Sequence, residues 1–116
     1  MSRRFQGLNA WLLQRVSALY LAVFILYLLF HFTLSPPASY HEWRAWVAGP
    51  VISTGLYIFV LLLLGHTWVG VRDVLMDYVS SLVLRAVLLL LLAFSLVAAG
   101  IWVARILVMV SLVSVK

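Results

Sequence analysis

The charged residues of the chain are separated by three long apolar stretches. These stretches lie between Arg15 and Glu42, between Arg44 and Arg72, and between Arg85 and Arg105. Each is long enough for a helix of about 20 residues, which crosses a hydrocarbon core of roughly 30 Å. The pattern predicts an all-α integral membrane protein with three transmembrane helices.

Residues that interrupt helices set the ends of these spans. Proline has no N–H group to donate inside a helix, so we expect the segment Ser35-Pro36-Pro37 to end the first span. Pro50 is tolerated in the first turn of the second span. We predict one membrane domain over residues 1–116, with spans over residues 16–33, 50–71 and 82–104.

The segments outside the spans hold most of the remaining polar and aromatic residues. Tyr40, Trp43 and Trp46 predict a short loop in the headgroup layer, where amphipathic rings accumulate. Arg72 and Asp73 are expected to cap and end the second helix. The apolar tail after the third span either extends the third helix or lies along the membrane surface.

The distribution of basic residues predicts the orientation of the chain. Basic residues flank one side of the predicted spans more often than the other, which places the N-terminus in the cytoplasm and the C-terminus outside it. On the cytoplasmic side we count Arg3, Arg4, Arg15, Arg72 and Arg85, and on the other side Arg44, Arg105 and Lys116.

The charge and the cysteine count limit which partners and cofactors the chain can bind by itself. The net charge is +5, but the arginines flank membrane spans, so we assign no nucleic-acid partner. The chain has no cysteine and therefore supplies no thiolate to an iron–sulfur cluster. Any such cluster belongs to another chain.

His66 is an ionisable residue inside the second predicted span. It lies six residues before Arg72, about 9 Å from the end of that span, where an ionisable side chain is costly and faces the interior of a bundle. Two interpretations are open, a hydrogen bond to a neighbouring helix or a ligand to haem iron. Gly65 and Gly70 favour the second, because they leave space beside the ring for a flat group.

A second histidine ligand to the same iron is not available in this chain. His31 lies about 24 Å along the first span from Arg15, near the opposite membrane face, and His41 lies beyond that span. We interpret both as interfacial residues. A haem with two histidine ligands, which suits electron transfer, would need its second ligand from another chain.

Three residues near the cytoplasmic ends of the spans are further candidates for binding. Tyr78 can donate a hydrogen bond to a quinone carbonyl, and Asp77 can orient a partner or relay protons. Arg15 can pair with an anionic group such as a haem propionate, and Ser17 can line the same region. The ordinary roles at this depth are an interfacial anchor for tyrosine, a solvated charge for aspartate and a topogenic charge for arginine.

One motif joins several of these candidates. The pattern H-x-W-x-G-x-x-x-V-x-x-D-Y is formed by His66, Trp68, Gly70, Val74, Asp77 and Tyr78. With the upstream segment Arg15-Val16-Ser17-Ala18, it resembles the small hydrophobic membrane anchor of bacterial succinate dehydrogenase, also called complex II. The resemblance extends to the length, the three spans and the predicted orientation, whereas the first loop and the third span are similar only in hydropathy.

The resemblance implies a role for each of four residues. His66 would be one axial ligand of haem b, with the other on the sister anchor subunit of the complex, and Arg15 would lie near the haem propionates. Asp77 and Tyr78 would belong to the ubiquinone site beside the iron–sulfur subunit. The chain would form part of a haem-binding helical bundle in the bacterial inner membrane.

The same resemblance implies the wider assembly. A flavoprotein subunit would complete the complex, which passes electrons from succinate to ubiquinone in the tricarboxylic acid cycle and the respiratory chain. This chain would catalyse nothing alone. Two alternatives are a haem-b anchor of another quinone-linked oxidoreductase such as fumarate reductase, which could use menaquinone, and a small membrane scaffold with no redox role.

Overall fold

Four α-helices make up the part of the chain that the structure, a computed structural model, describes. This part comprises residues 2–114, with side chains described for residues 7–113. The helices are α1 (Ser2–Leu34), α2 (Tyr40–Ala48), α3 (Pro50–Tyr78) and α4 (Leu82–Ser114). Because α1, α3 and α4 are long and apolar enough to cross a membrane, the predicted all-α fold with three transmembrane helices is confirmed.

Helix α3 lies between α1 and α4, which do not pack against each other over the described residues. Tyr20 on α1 donates a hydrogen bond of 2.9 Å to the carbonyl oxygen of Gly55 near the start of α3. Ser17, earlier on α1, contacts His66, later on α3, at 3.0 Å. Residue numbers therefore rise along one helix as they fall along the other, so α1 and α3 are antiparallel.

Helices α3 and α4 are also antiparallel and approach each other closely at Gly100. A Cβ atom placed on Gly100 would lie 2.8 Å from Cδ1 of Leu64, so the backbone of α4 packs directly against that side chain. Helix α4 continues to Ser114, so the apolar tail extends the third helix. Val115 and Lys116, the last residues of that tail, lie outside the described residues.

The end of α3 differs from the prediction. The helix continues to Tyr78, and Arg72 and Asp73 lie inside it, so the prediction that they cap it is wrong. They form an ion pair of 3.2 Å with each other. The carbonyl oxygen of Val79, just after the helix, instead accepts hydrogen bonds of 3.1 and 2.7 Å from Nε and Nη2 of Arg85.

The predicted span boundaries concern the part of each helix that crosses the bilayer. Each predicted range lies within one of α1, α3 and α4, and all three helices extend beyond it. Helix α1 ends at Leu34, before the two prolines, and Pro50 occupies the first turn of α3. Because charged residues inside a helix can lie beyond the hydrocarbon core, the span ranges stay predictions.

The segment between α1 and α3 was predicted as a loop, but it contains helix α2. Ser39 Oγ accepts a hydrogen bond of 3.2 Å from the N–H of Glu42, and Glu42 Oε2 accepts one of 2.9 Å from the N–H of Ala38. The first bond caps the helix at Ser39, and the S-x-x-E signature of a capping box is present as Ser39-Tyr40-His41-Glu42, although Glu42 bonds the residue before the N-cap and not the N-cap itself. Helix α2 packs against α3 and α4 and buries Val47.

The chain buries little of its own apolar surface. Among the described residues, the buried side chains are Ser17, Leu21, Val47, Ser53, Val69 and Leu107. The remaining leucine, valine and aromatic side chains on α1 and α4 are largely exposed. In a membrane such surfaces are covered by lipid or by other helices.

Candidate functional site

A groove of about 590 Å³ separates the N-terminal half of α1 from the C-terminal half of α3. We call it the His66 groove. From α1 it is lined by Gly7, Ala10, Trp11, Gln14, Arg15 and Ala18, and from α3 by His66, Val69, Arg72 and Asp73. Two of the four residues predicted to bind ligands, His66 and Arg15, therefore lie on the same groove.

The ring of His66 is held by a buried hydroxyl group. Ser17 is 0% exposed, and its Oγ lies 3.0 Å from Nδ1 of His66 and 3.2 Å from the carbonyl oxygen of Gln14. A serine hydroxyl has one hydrogen, and a carbonyl oxygen only accepts. Both contacts are hydrogen bonds when Ser17 donates to Gln14 and accepts from the Nδ1–H group of His66.

This hydrogen-bond network determines which ring nitrogen is free. With the proton of the neutral ring on Nδ1, Nε2 has a lone pair, and Nε2 makes no hydrogen bond to the described residues. A neutral histidine nitrogen with a free lone pair is what a metal ion binds. The groove is thus lined by a histidine whose Nε2 atom is available to bind a metal ion.

The side chain of Gln14 has a polar atom without a hydrogen-bond partner in this region. Its Oε1 atom is buried and has no hydrogen-bond partner among the described residues. A buried acceptor without a partner costs about 1–3 kcal/mol. The hydrogen bonding of the Gln14 side chain is therefore incomplete among the described residues.

Arg15 gives the groove an uncompensated positive charge. Its guanidinium carbon lies 5.6 Å from the centroid of the Trp11 ring, within the range of a cation–π interaction. It makes no ion pair with the described residues, whereas the neighbouring Arg72 is paired with Asp73. An anionic group in the groove would find Arg15 available.

Neither of the two glycines near His66 lines the groove. A Cβ atom on Gly70 would lie 3.5 Å from Nε2 of Gln14, and one on Gly65 would lie 3.7 Å from Cδ2 of Leu13, both ordinary contact distances. The expectation that they leave space for a flat group beside the ring is thus not met in the His66 groove, whereas Gly65 lines a second groove, between α3 and α4. They lie where α3 packs against side chains of α1.

Asp77 and Tyr78 lie at the same end of the bundle as the groove, but they do not line it. Tyr78 is the last residue of α3 and is 83% exposed. Asp77 is also exposed, and neither side chain makes a hydrogen bond or ion pair with the described residues. Both are free to contact another molecule.

The other histidines lie away from this site. His31 stacks on Trp46 with ring centroids 4.4 Å apart and planes inclined by 12°, so it joins α1 to α2. It follows Ser17 by fourteen residues, about 21 Å along α1. Over the described residues, no three His, Cys, Asp or Glu side chains are grouped to hold a metal ion, so His66 would act as a single ligand.

The sequence interpretation missed several residues of the groove. Trp11 and Gln14 were not considered, and Arg72 and Asp73 were assigned to a helix end. A signal for the first two is present, because Gly7, Trp11, Gln14 and Ala18 follow one another at intervals of four, three and four residues, as on one helix face. No such signal shows that this face meets His66, since that depends on how α1 and α3 pack.

Comparison with known proteins places the chain in one family of transmembrane subunits. Residues 2–112 match the family model described as "Succinate dehydrogenase/Fumarate reductase transmembrane subunit". A curated relative is the "Succinate dehydrogenase hydrophobic membrane anchor subunit" of Coxiella burnetii. It is 28% identical over 101 residues, which cover 87% of this chain and 86% of the relative.

Proposed function

The chain belongs to the family of succinate dehydrogenase/fumarate reductase transmembrane subunits, and we propose that it binds haem b jointly with a sister anchor subunit and helps to form a ubiquinone-reduction site. It is a multi-pass membrane anchor that acts in a complex with other subunits. The proposal assigns His66 to the haem iron, Arg15 to a haem propionate, and Asp77 and Tyr78 to the quinone.

The observation that carries the haem proposal is the hydrogen bond between Ser17 and His66. Their contact of 3.0 Å leaves Nε2 of His66 free beside a groove of about 590 Å³. Arg15 supplies a cation without a carboxylate partner on the same groove. An iron ligand, space and a counter-charge for a propionate are thus together, and they fit a b-type haem, which when bound carries single electrons.

The second axial ligand is proposed to come from another chain. His31 lies about 21 Å along α1 from Ser17, which contacts His66, so it is too far away to share an iron with His66. A sister anchor subunit that covers the groove would supply the ligand.

The quinone proposal rests on Tyr78 and Asp77. The phenol of Tyr78 is exposed and unpaired at the end of α3, where it can donate a hydrogen bond to a quinone carbonyl. The carboxylate of Asp77, one residue earlier, can accept and release protons as the quinone is reduced. In the segment between α3 and α4, the side chain of Arg85 donates a hydrogen bond to the carbonyl oxygen of Val79 and so restrains the backbone directly after Tyr78.

The soluble partners are proposed from the resemblance to succinate dehydrogenase anchors. On that resemblance, electrons from succinate would arrive through a flavoprotein subunit and an iron–sulfur subunit, and this chain, which has no cysteine, would supply no thiolate to the cluster. The complex would lie in the bacterial inner membrane, with the N-terminus of this chain in the cytoplasm and its C-terminus in the periplasm. Asp77 and Tyr78 would then face the side on which succinate is oxidised.

An absorption spectrum of the purified complex tests the haem proposal. We expect a low-spin b-type spectrum, and we expect the replacement His66→Gln to abolish it or change it. His41→Gln is the matched control, because His41 is an exposed histidine on α2, and it should leave the spectrum unchanged. A complex without a Soret band would instead favour a membrane scaffold with no redox role.

The description of the family names both succinate dehydrogenase and fumarate reductase, so the alternative of a fumarate reductase anchor has specific support. The two assignments predict different preferred directions. Assays of the purified complex with succinate and ubiquinone, and with fumarate and a reduced menaquinone analogue, distinguish them. Faster turnover in the first assay supports the proposal.

A further inference from the structure

We propose that Ser17 is a positioning residue that fixes the tautomer of His66 and so presents Nε2 to the haem iron. The inference rests on the proposed function, since it assigns how the ligand is prepared. Ser17 would not touch the haem. It would act through the ring of His66.

The geometry favours one proton arrangement over the other. In the proposed arrangement, the Ser17 hydroxyl donates to the carbonyl of Gln14 at 3.2 Å and accepts from His66 Nδ1–H at 3.0 Å. If the Ser17 hydroxyl donated to Nδ1 of His66 instead, its single hydrogen would be used there. The Ser17 oxygen and the Gln14 carbonyl oxygen would then face each other at 3.2 Å without a hydrogen between them. The ring proton would then lie on Nε2 and block ligation.

Burial makes this arrangement effective. Ser17 is 0% exposed, so water does not compete for its hydroxyl. The serine is on α1 and the histidine on α3, and the bond therefore also fixes the ring relative to the groove between the two helices. Histidine ligands to metals commonly donate their second N–H to such a partner, and loss of the partner typically lowers metal affinity by about 10–100-fold.

The group that accepts the hydrogen bond from Nδ1–H of His66 also affects the basicity of Nε2. A carboxylate accepting from Nδ1–H would draw the proton away and increase the basicity of Nε2. A serine hydroxyl is a neutral acceptor, so it orients the ring with less of this effect.

Three replacements at Ser17 separate the hydrogen bond from packing. Ser17→Ala removes the acceptor, Ser17→Cys retains most of the volume with only a weak acceptor, and Ser17→Thr retains the hydroxyl. Ser53→Ala is the matched control, because Ser53 is a buried serine on α3 outside the groove. All variants are studied in the complete purified complex.

The first measurement is the rate at which haem leaves the complex for an excess of a haem-free acceptor protein. We expect loss to be roughly 10–100-fold faster for Ser17→Ala and Ser17→Cys, and close to wild type for Ser17→Thr and Ser53→Ala. Electron paramagnetic resonance of the oxidised haem should show a changed ligand field in the first two variants. A Cys variant that matches wild type would reduce Ser17 to a packing role and overturn the inference, as would an Ala variant with wild-type behaviour.

The second measurement does not depend on haem. Nitrogen magnetic resonance of ¹⁵N-histidine-labelled complex, prepared from cells with haem synthesis blocked, reports which nitrogen of His66 carries the proton. We expect Nδ1–H in wild type and a mixture of tautomers in Ser17→Ala. A mixture in wild type would overturn the inference, whereas Nδ1–H in a wild-type complex that never binds haem would retain it and contradict the proposed function alone.

Discussion

Asp77 lies eleven residues after His66 on the same unbroken helix, so the two residues share nearly one face of α3, three turns and about 17 Å apart. Tyr78, one residue later, is turned about 100° around the axis from Asp77. The carboxylate of Asp77 therefore lies on nearly the same face of α3 as His66, whereas the phenol of Tyr78 points in another direction. The proposed haem role of His66 and the proposed quinone role of Tyr78 should for this reason respond separately to mutation.

Tyr78→Phe should impair quinone chemistry alone. The replacement removes one hydroxyl and leaves the ring, so membrane anchoring is retained while a donor to the quinone carbonyl is lost. The loss of one such donor costs on the order of 2–4 kcal/mol in the transition state, so quinone reduction should fall by roughly 10² or more. Oxidation of succinate with an artificial acceptor upstream of the quinone should stay near normal.

The matched control for this variant is Tyr40→Phe. Tyr40 is also an exposed tyrosine, but it begins α2, away from the end of α3. It should leave both assays unchanged. If the Tyr78→Phe variant reduced quinone as fast as wild type, the quinone role of Tyr78 would be contradicted, and the residue would be interpreted as an interfacial anchor.

The chain expressed without its partners should not form a six-coordinate haem. His66 is the single histidine on the groove, and the described residues contain no second ligand near it. The purified monomer should therefore lack a low-spin b-type spectrum even when haem is supplied. A low-spin spectrum from a monomer, verified by its mass, would show that one chain can supply both ligands.

The orientation of the chain is testable with a reporter fused after Lys116. Basic residues are more numerous on the predicted cytoplasmic side, and three spans then place the C-terminus outside the cytoplasm. A periplasmic alkaline phosphatase fusion should be active, and a fluorescent reporter that matures only in the cytoplasm should be dark. The reverse pattern would contradict the predicted orientation.

Gly100→Val should weaken the packing of α4 on α3. Even a Cβ atom at this position would lie 2.8 Å from Cδ1 of Leu64, and the two further methyl groups of valine need additional space. Overpacking of this kind typically costs about 1–3 kcal/mol. The midpoint of thermal dissociation of the complex should fall, whereas the control Ala99→Val, at an exposed position, should leave it unchanged.

The sequence predicted the number of spans well because long apolar stretches between charges have few alternatives in a bilayer. It predicted helix ends less well. Arg72 and Asp73 resemble a helix terminus when only local charge is considered, but α3 continues to Tyr78 and is capped by Val79, whose carbonyl oxygen accepts from Arg85 on the next helix. A contact supplied by another helix is not visible in a local pattern.

Prediction of the candidate site was limited in the same way. His66 and Arg15 were selected individually, and the structure places them on one groove. The contact between Ser17 and His66 and the burial of Oε1 of Gln14 depend on the rotation of α1 against α3, which no spacing within one helix defines. Asp77 and Tyr78 were selected from a motif, and their roles stay predictions.

The His66 groove also has a consequence for a copy of the chain that is inserted without its partners. Leucine and valine side chains are stable in lipid, but Arg15 and His66 on an open groove are costly to expose to hydrocarbon. Such a copy should therefore be less stable in the bilayer than one in a complete complex, so the amount of this subunit should follow the amount of its partners.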